Sequence, residues 1–360
     1  MDKDKLRSLL ISPAATLKEA MQKLNDTAER ILFVVDDKEI LVGTVTDGDI
    51  RRGLISGLKF SDKTEKVVRK QFIHIFYNVP DRKEKAQVMM LEKKVEQIPV
   101  LDKQGHVVDV IFWVDIFGKK ESADRKQFFT NPVVVMAGGK GTRLDPFTKI
   151  LPKPLIPIGE NPIIEIIMEK YYNYGFKNFI FTLNYKREYI KMFLRENSFP
   201  YNIDWVEEND YMGTAGSLSL LKDKVKDTFF VSNCDIILNA NYADILKWHK
   251  ENNNLMTLVG CHKEVNIPYG ILKMENGILK NFLEKPNYDI LINTGVYVIE
   301  PEIISIVPEN EYIDMNTLIE LVSRKGKVSV YPISDGWFDI GQWDEYRKSL
   351  KYMEEKINYV

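Results

Sequence analysis

MAGGKGTRLDPFTKILPKPLIPIG, residues 136–159, passes within a few positions from unusual backbone freedom to unusual stiffness. Gly138, Gly139 and Gly141 follow directly on a short apolar run, Val133 to Val135, and Pro152, Pro154 and Pro157 come close behind among lysines. A glycine-rich turn at the end of a strand lets bare backbone N–H groups approach phosphate, because a Cβ would block the way. The stretch is therefore the first place in the chain to seek a nucleotide.

Downstream of Asn131, short apolar runs (Val133 to Val135, Phe179 to Leu183, Phe229 to Ser232, Leu255 to Val259) alternate with helical spacing. The clearest case is Ile163, Ile166, Ile167, Lys170, Tyr171 and Tyr174, closed by Gly175. Such alternation predicts an α/β, Rossmann-like domain over 131–360, with a mostly parallel, doubly wound mixed sheet and helices on both faces. Ligands of these sheets sit beyond the carboxyl ends of the strands, which is where MAGGKGTRL falls.

Upstream, the chain repeats itself. ILFVVDDKEILVGTVTDGDI from Ile31 aligns without gaps on QIPVLDKQGHVVDVIFWVDI from Gln97, pairing Val34 with Val100, Asp36 with Asp102, Asp49 with Asp115 and Ile50 with Ile116. Each copy reads as strand, turn, strand, helix start, preceded by helical spacing at Leu17, Ala20, Met21, Leu24 and at Ala86, Met89, Met90, Lys93. A unit too small to bury its own sheet face packs against its copy, so residues 1–120 are expected to form one α+β domain, with 121–130 as a charged linker.

Bulk composition narrows the field. A chain of 360 residues with a formal charge of -2 fits two ordinary globular domains and offers no general attraction to nucleic acid or an anionic membrane. No apolar run approaches the roughly 20 residues that span a bilayer. MDKDKLRSLL lacks the pattern of a signal peptide, which points to the cytoplasm. Cys234 and Cys261 read as reduced packing residues, and the four histidines (His74, His106, His249, His262) show no metal-ligand spacing.

The glycine loop fits neither a Walker A motif nor a dinucleotide fingerprint. It does fit A-G-G-x-G-T-R-L-x-P-x-T followed by P-K-P-L, from Ala137, Gly138, Gly139, Gly141, Thr142, Arg143, Leu144, Pro146 and Thr148 through Pro152, Lys153, Pro154 and Leu155. That pattern resembles the signature of sugar-1-phosphate nucleotidylyltransferases. The resemblance implies that the loop wraps a nucleoside triphosphate while Arg143 and Lys153 neutralise its phosphates, with stiff prolines limiting the entropy lost on binding. It also implies that Glu208, Gly213 and Thr214 in WVEENDYMGTAGSL recognise the base. Asp235 in FFVSNCDIIL and Asp339 in DGWFDIGQWDEY are then the two carboxylates that hold Mg²⁺. IPYGIL (Tyr269, Gly270), FLEKP (Glu284, Lys285) and INTGVYVIE (Asn293, Thr294, Gly295) match the sugar-phosphate signatures of the same family.

The repeat resembles a CBS-domain pair, a module that binds adenine nucleotides and associates in twos. The resemblance assigns Thr46 and Asp49 to ribose hydroxyls; the second copy departs, with Phe112 in place of the hydroxyl although Asp115 remains. A CBS pair ahead of such a transferase is similar to the glucosamine-1-phosphate guanylyltransferases of bacterial legionaminic acid biosynthesis, while the G-T-A-G segment also occurs in mannose-1-phosphate guanylyltransferases. The expectation is a Mg²⁺-dependent homo-oligomer that joins GTP, or another NTP, to glucosamine 1-phosphate, with mannose 1-phosphate or another NTP/sugar pair as the alternative. A rival of another class is a silent nucleotide-sugar sensor, which should have lost one of Arg143, Lys153, Asp235 or Asp339; all four are present.

Overall fold

The computed structural model describes residues 2–27, 29, 31–93, 95–117, 128–343, 345–347 and 350; most of the expected linker lies outside the described residues. The chain divides into two compact units, Met1–Arg125 with His262–Ile290, and Lys126–Cys261 with Leu291–Val360. The contiguous boundary drawn from sequence at residue 131 therefore misses one feature: a segment from the middle of the downstream half groups with the N-terminal repeats.

In the second unit the main sheet has seven strands: β1 (Val133–Ala137), β2 (Asn178–Leu183), β3 (Asn202–Glu207), β4 (Phe229–Asn233), β5 (Met256–Asn266), β6 (Asn287–Ile299) and β7 (Val328–Ile333). Their order is β3-β2-β1-β4-β6-β5-β7. β1 pairs in parallel with both β2 and β4, whereas β4 and β6 run antiparallel, so the sheet is mixed as expected. β5 and β6 are long, and their outer ends pass into the segment that belongs to the first unit.

Alternate residues of these strands serve two cores. Val133, Val135, Phe179, Phe181 and Phe230 join one cluster with the helix Ile163–Asn173; Val134, Ile180, Phe229 and Val231 join another with the helix Met315–Ser323. Continuous apolar runs in the sequence are thus explained by burial on both faces. The helix Ile163–Asn173 ends at Gly175, whose φ of +93° only glycine adopts without strain. Both cysteines are buried, and neither is in a disulfide. No helix among the described residues is long and apolar enough to cross a membrane.

In the first unit the two repeats have the same construction. Leu10–Ile11 pairs in parallel with Ile31–Val35, which pairs antiparallel with Leu41–Thr46; Ile75–Phe76, Gln97–Leu101 and Val107–Phe112 do likewise. A register shift falls between Val34 and Val35 in one copy and between the aligned Val100 and Leu101 in the other. Ile40 bridges His106, its own counterpart in the alignment, as a local two-fold relation between the copies requires.

Phe230 is fully buried between the rings of Tyr171, Phe176 and Tyr242, at centroid distances of 5.3, 5.1 and 5.9 Å. Phe230→Ala should remove about 3–5 kcal/mol from the stability of this unit, read as a lower urea midpoint with an unchanged slope.

Candidate active site

The order β2-β1-β4 places a topological switch point between β1 and β4, and the chain leaves both strands there. Met136 lies opposite Asn233 in the parallel register. The glycine loop therefore starts beside the turn that carries Asp235. From Asp235 the chain forms a short strand, Ile236–Leu238, antiparallel to Trp337–Asp339, with Ile236 opposite Asp339 and Ile340 N–H donating to Asp235 O at 2.8 Å. That pairing delivers the second aspartate, from far along the chain, to the side of the first.

Lys153 joins them. Its ammonium pairs with Asp235 Oδ2, and both residues are only 7% exposed. Gly341 shows how close the three groups lie: a Cβ at that position would stand 2.6 Å from Asp339 Oδ1, 2.9 Å from Asp235 Oδ2 and 2.9 Å from Lys153 Nζ. Gly341 N–H donates to Asp339 Oδ1 at 2.8 Å. Two carboxylates of hard oxygen donors converging on one point fit a divalent cation of the Mg²⁺ class. Gly341 lies within the stretch DGWFDIGQWDEY, yet nothing in the sequence marks it, because its importance is a matter of what crowds it in space.

The glycines of the loop differ in purpose. A Cβ on Gly138 would come within 2.6 Å of Glu208 Oε1, so this residue is bare to admit a side chain of the protein itself. Gly141 has φ +66° and packs on Lys153, whose Cβ would be 2.9 Å from one added there. Only Gly139 faces open space, the condition for close approach by a ligand. Ala137 is buried at the end of β1, while Thr142 and Arg143 are exposed on the short turn that follows. Arg143 has no ion-pair partner among the described residues.

Glu208 is 2% exposed, and burial pushes its carboxyl above the usual range, offset in part by the Met212 amide, which donates to Oε2 at 3.2 Å. Gly213, at φ +79°, lies against Ile313 O. The Thr214 hydroxyl accepts from Met315 N–H at 2.8 Å, at the start of the helix Met315–Ser323, so it has a structural task. Thr294 is likewise engaged: 1% exposed, it donates to Val259 O at 2.8 Å. Asn293 is exposed and donates to Tyr297 Oη at 2.8 Å. Burial pushes the Cys234 thiol up to about 12, which leaves it protonated and inert beside Asp235.

The remaining sugar-phosphate candidates belong to the first unit. Ile271–Glu275 and Ile278–Leu283 form an antiparallel ribbon in which Ile271 faces Leu283, so the two flanking signatures meet. Gly270 lies against the Phe282 ring and Glu284, where a Cβ would be 2.8 Å and 3.2 Å away. Tyr269 is 74% exposed, and Lys285 is exposed with φ +41°, a costly conformation for lysine.

In the first repeat, Thr46 caps the helix Asp47–Ile55 in a reciprocal box with Asp49. Asp49 also accepts from Arg52 at 2.5 Å and Arg69 at 2.6 Å. Burial raises its carboxyl, yet the bonds from Thr46, Arg69 and Arg52 together hold it below the usual range. In the second repeat Asp115 accepts from Phe112 N–H at 3.0 Å, keeping the cap without the hydroxyl.

Comparison with known proteins agrees with this architecture. Residues 132–356 match the family model described as nucleotidyl transferase, and residues 7–56 match that of the CBS domain. The chain belongs to the nucleotidyl transferase family and carries a CBS domain on its N-terminal side. The mannose-1-phosphate guanyltransferase of Yarrowia lipolytica is 32% identical over 219 residues, 58% of this chain and 60% of that protein. The chain thus spans about 60% of the length of the relatives of this kind that it matches. The Bacillus subtilis protein named probable glucose-1-phosphate cytidylyltransferase is 30% identical over 245 residues, covering 61% of this chain and 93% of its own. The crystal structure of HddC from Yersinia pseudotuberculosis shares the fold, with a TM-score of 0.50 at 24% identity over 62% of this chain and 99% of that one; the same protein has been solved complexed with GMP-PN.

Gly341 has no left-handed φ to preserve, so alanine is refused only by Asp235, Asp339 and Lys153. Gly341→Ala should lower the affinity for a divalent cation, read by Mn²⁺ titration, by about tenfold, with a thermal midpoint close to that of the parent. Unchanged affinity in this variant would show that the three groups do not act as one site.

Proposed function

We propose that the chain joins a nucleoside triphosphate to a sugar 1-phosphate, giving a nucleotide-sugar and pyrophosphate. The observation that carries this reading is the convergence of Lys153, Asp235 and Asp339 on one point at the sheet's switch point. An oxygen of the sugar phosphate forms a bond to the α-phosphorus, and the bond from that phosphorus to the bridging oxygen breaks as pyrophosphate leaves. The nucleophile is already an anion, so no base is needed; positioning and charge neutralisation suffice. Lys153 and Arg143 oppose the negative charge of the triphosphate, and Lys285 does so for the sugar phosphate. Mg²⁺ held by Asp235 and Asp339 would supply further neutralisation of the phosphate oxygens. Glu208, enclosed behind Gly138, and the Gly213–Thr214 turn are assigned to reading the base.

GTP is the favoured nucleotide, supported by relatives named as guanyltransferases. For the sugar, the pairing of a CBS domain with the transferase supports glucosamine 1-phosphate and a place in legionaminic acid biosynthesis, in the cytoplasm. The names of those same relatives support mannose 1-phosphate. An adenine nucleotide at Thr46 and Asp49, and association of the repeats into a homo-oligomer, complete the reading. The repeats form one regulatory and dimerising module over 1–120 ahead of the catalytic half.

Pyrophosphate release across four NTPs and the 1-phosphates of glucosamine, N-acetylglucosamine, mannose and glucose tests the proposal. Turnover should concentrate on GTP with glucosamine 1-phosphate and vanish with EDTA. A maximum at mannose 1-phosphate would replace the sugar and keep the chemistry. Silence across the grid would favour a nucleotide-sugar sensor. Asp235→Asn and Asp339→Asn should each lower kcat by about 10²–10³-fold, with binding of GTP in the absence of metal changed far less.

A further inference from the structure

The ribbon that carries Tyr269, Gly270, Glu284 and Lys285 groups in one compact unit with the N-terminal repeats. Two contacts join them. The Phe60 ring lies 4.0 Å from the His262 imidazole, centroid to centroid, at an interplanar angle of 37°. Lys18 Nζ forms an ion pair with Glu264 Oε1. Both contacts leave from a single patch of the first repeat, since Lys18 N–H donates to Phe60 O at 3.1 Å. Phe60 is itself buried in the core made by Leu17, Ala20, Met21 and Leu24. A patch rooted in a close-packed core is a fixed support.

On the ribbon side both contacts land at the root. His262 is buried, and its Nε2 meets Asp289 Oδ1 at 2.9 Å, which ties β5 to β6. One step further out, Ile267 N–H donates to Pro286 O at 3.1 Å. The next residues are Tyr269 and Gly270 on one side and Lys285 and Glu284 on the other. His262, Glu264 and Asp289 place ligand atoms within 4.8 Å of one another, as a cation site would. The Lys18 ammonium already sits on Glu264, so the cluster is a joint between two elements.

We propose that Lys18 and Phe60 of the first repeat are positioning residues for the sugar-phosphate pocket: they fix the root of the ribbon and, through it, the placement of Tyr269, Glu284 and Lys285. The inference rests on the reading of those three residues as sugar-phosphate ligands. A two-stranded ribbon is marginally stable alone in water, so its geometry depends on what holds its base.

Lys18 and Glu264 are 29% and 42% exposed, so reversing either charge leaves the fold intact. In the full chain, Lys18→Glu and Glu264→Lys should each raise the KM for the sugar 1-phosphate by about threefold and leave the KM for GTP unchanged; the double swap should restore the parental value. Phe60→Leu, which keeps the core filled but removes the ring from His262, should move the same constant in the same direction. An unchanged sugar KM in the single variants, or equal rises in both constants, overturns the proposal. Amide hydrogen exchange over 267–286 reads the joint without turnover: faster in each single reversal, parental in the swap. Equal exchange in all variants also overturns the positioning role. Faster exchange in the single reversals, where the parent protein turns over no sugar 1-phosphate, upholds the joint and overturns the reading of the ribbon residues as sugar ligands.

Discussion

An ammonium and two carboxylates held together out of bulk water are the constraint from which the rest of this molecule follows. A buried Asp235 is costly unless paired, and Lys153 supplies the pair. Lys153 can do so only because its backbone is held between Pro152 and Pro154 and because Gly141, bare and left-handed, lets the loop fold over its stem. Asp339 arrives by a different route, through three residues of antiparallel pairing with Ile236–Leu238. The sheet supplies what none of these segments has alone, a common floor at the ends of β1 and β4 on which they meet.

The parts of the site that sequence reading reached are those written locally. Glycines, cations and prolines fall within one stretch of the chain, and the apolar runs before Gly138 and Asp235 mark both as strand ends. What it missed is long-range. Gly138 and Glu208 are a matched pair, one bare so that the other can be buried, yet they follow different strands and share no spacing pattern. Gly341 is similar: its neighbours are distant in the chain, and only the closed site shows that a methyl group would strike all three. Thr214 and Thr294 show a further long-range use that no signature in the sequence reveals, since their hydroxyls bond a helix start and a neighbouring carbonyl.

The repeats carry the same lesson about residues with two possible uses. Asp49 and Asp115 align, and a shared ligand role would explain both, but helix capping explains them without one: each accepts from the backbone N–H three positions earlier. What distinguishes the first copy is the convergence of Arg52 and Arg69 on Asp49 together with the Thr46 hydroxyl. A carboxylate bound by two arginines stays ionised, and the guanidinium donors that remain, on side chains 60% exposed, are suited to an anionic group. Among the described residues the copies thus differ in the cations around the aligned aspartates as well as in the missing hydroxyl at Phe112.

The two groups of candidate residues, one in each compact unit, stand on supports of different rigidity. The glycine loop and the turn that carries Asp235 follow directly on strands buried on both faces, where any shift is resisted by close packing. The ribbon residues stand on a two-stranded element with Leu272, Met274, Leu279 and Phe282 all more than half exposed. Such an element has no core of its own, so its precision must be borrowed from its base. The chain meets that need by the interleaving that a linear domain boundary obscures: the outer ends of β5 and β6 leave the sheet that anchors them and are held instead by the N-terminal repeat, through a ring contact and an ion pair. The first repeat is on this view part of the structural support of the ribbon, through contacts that lie within one compact unit.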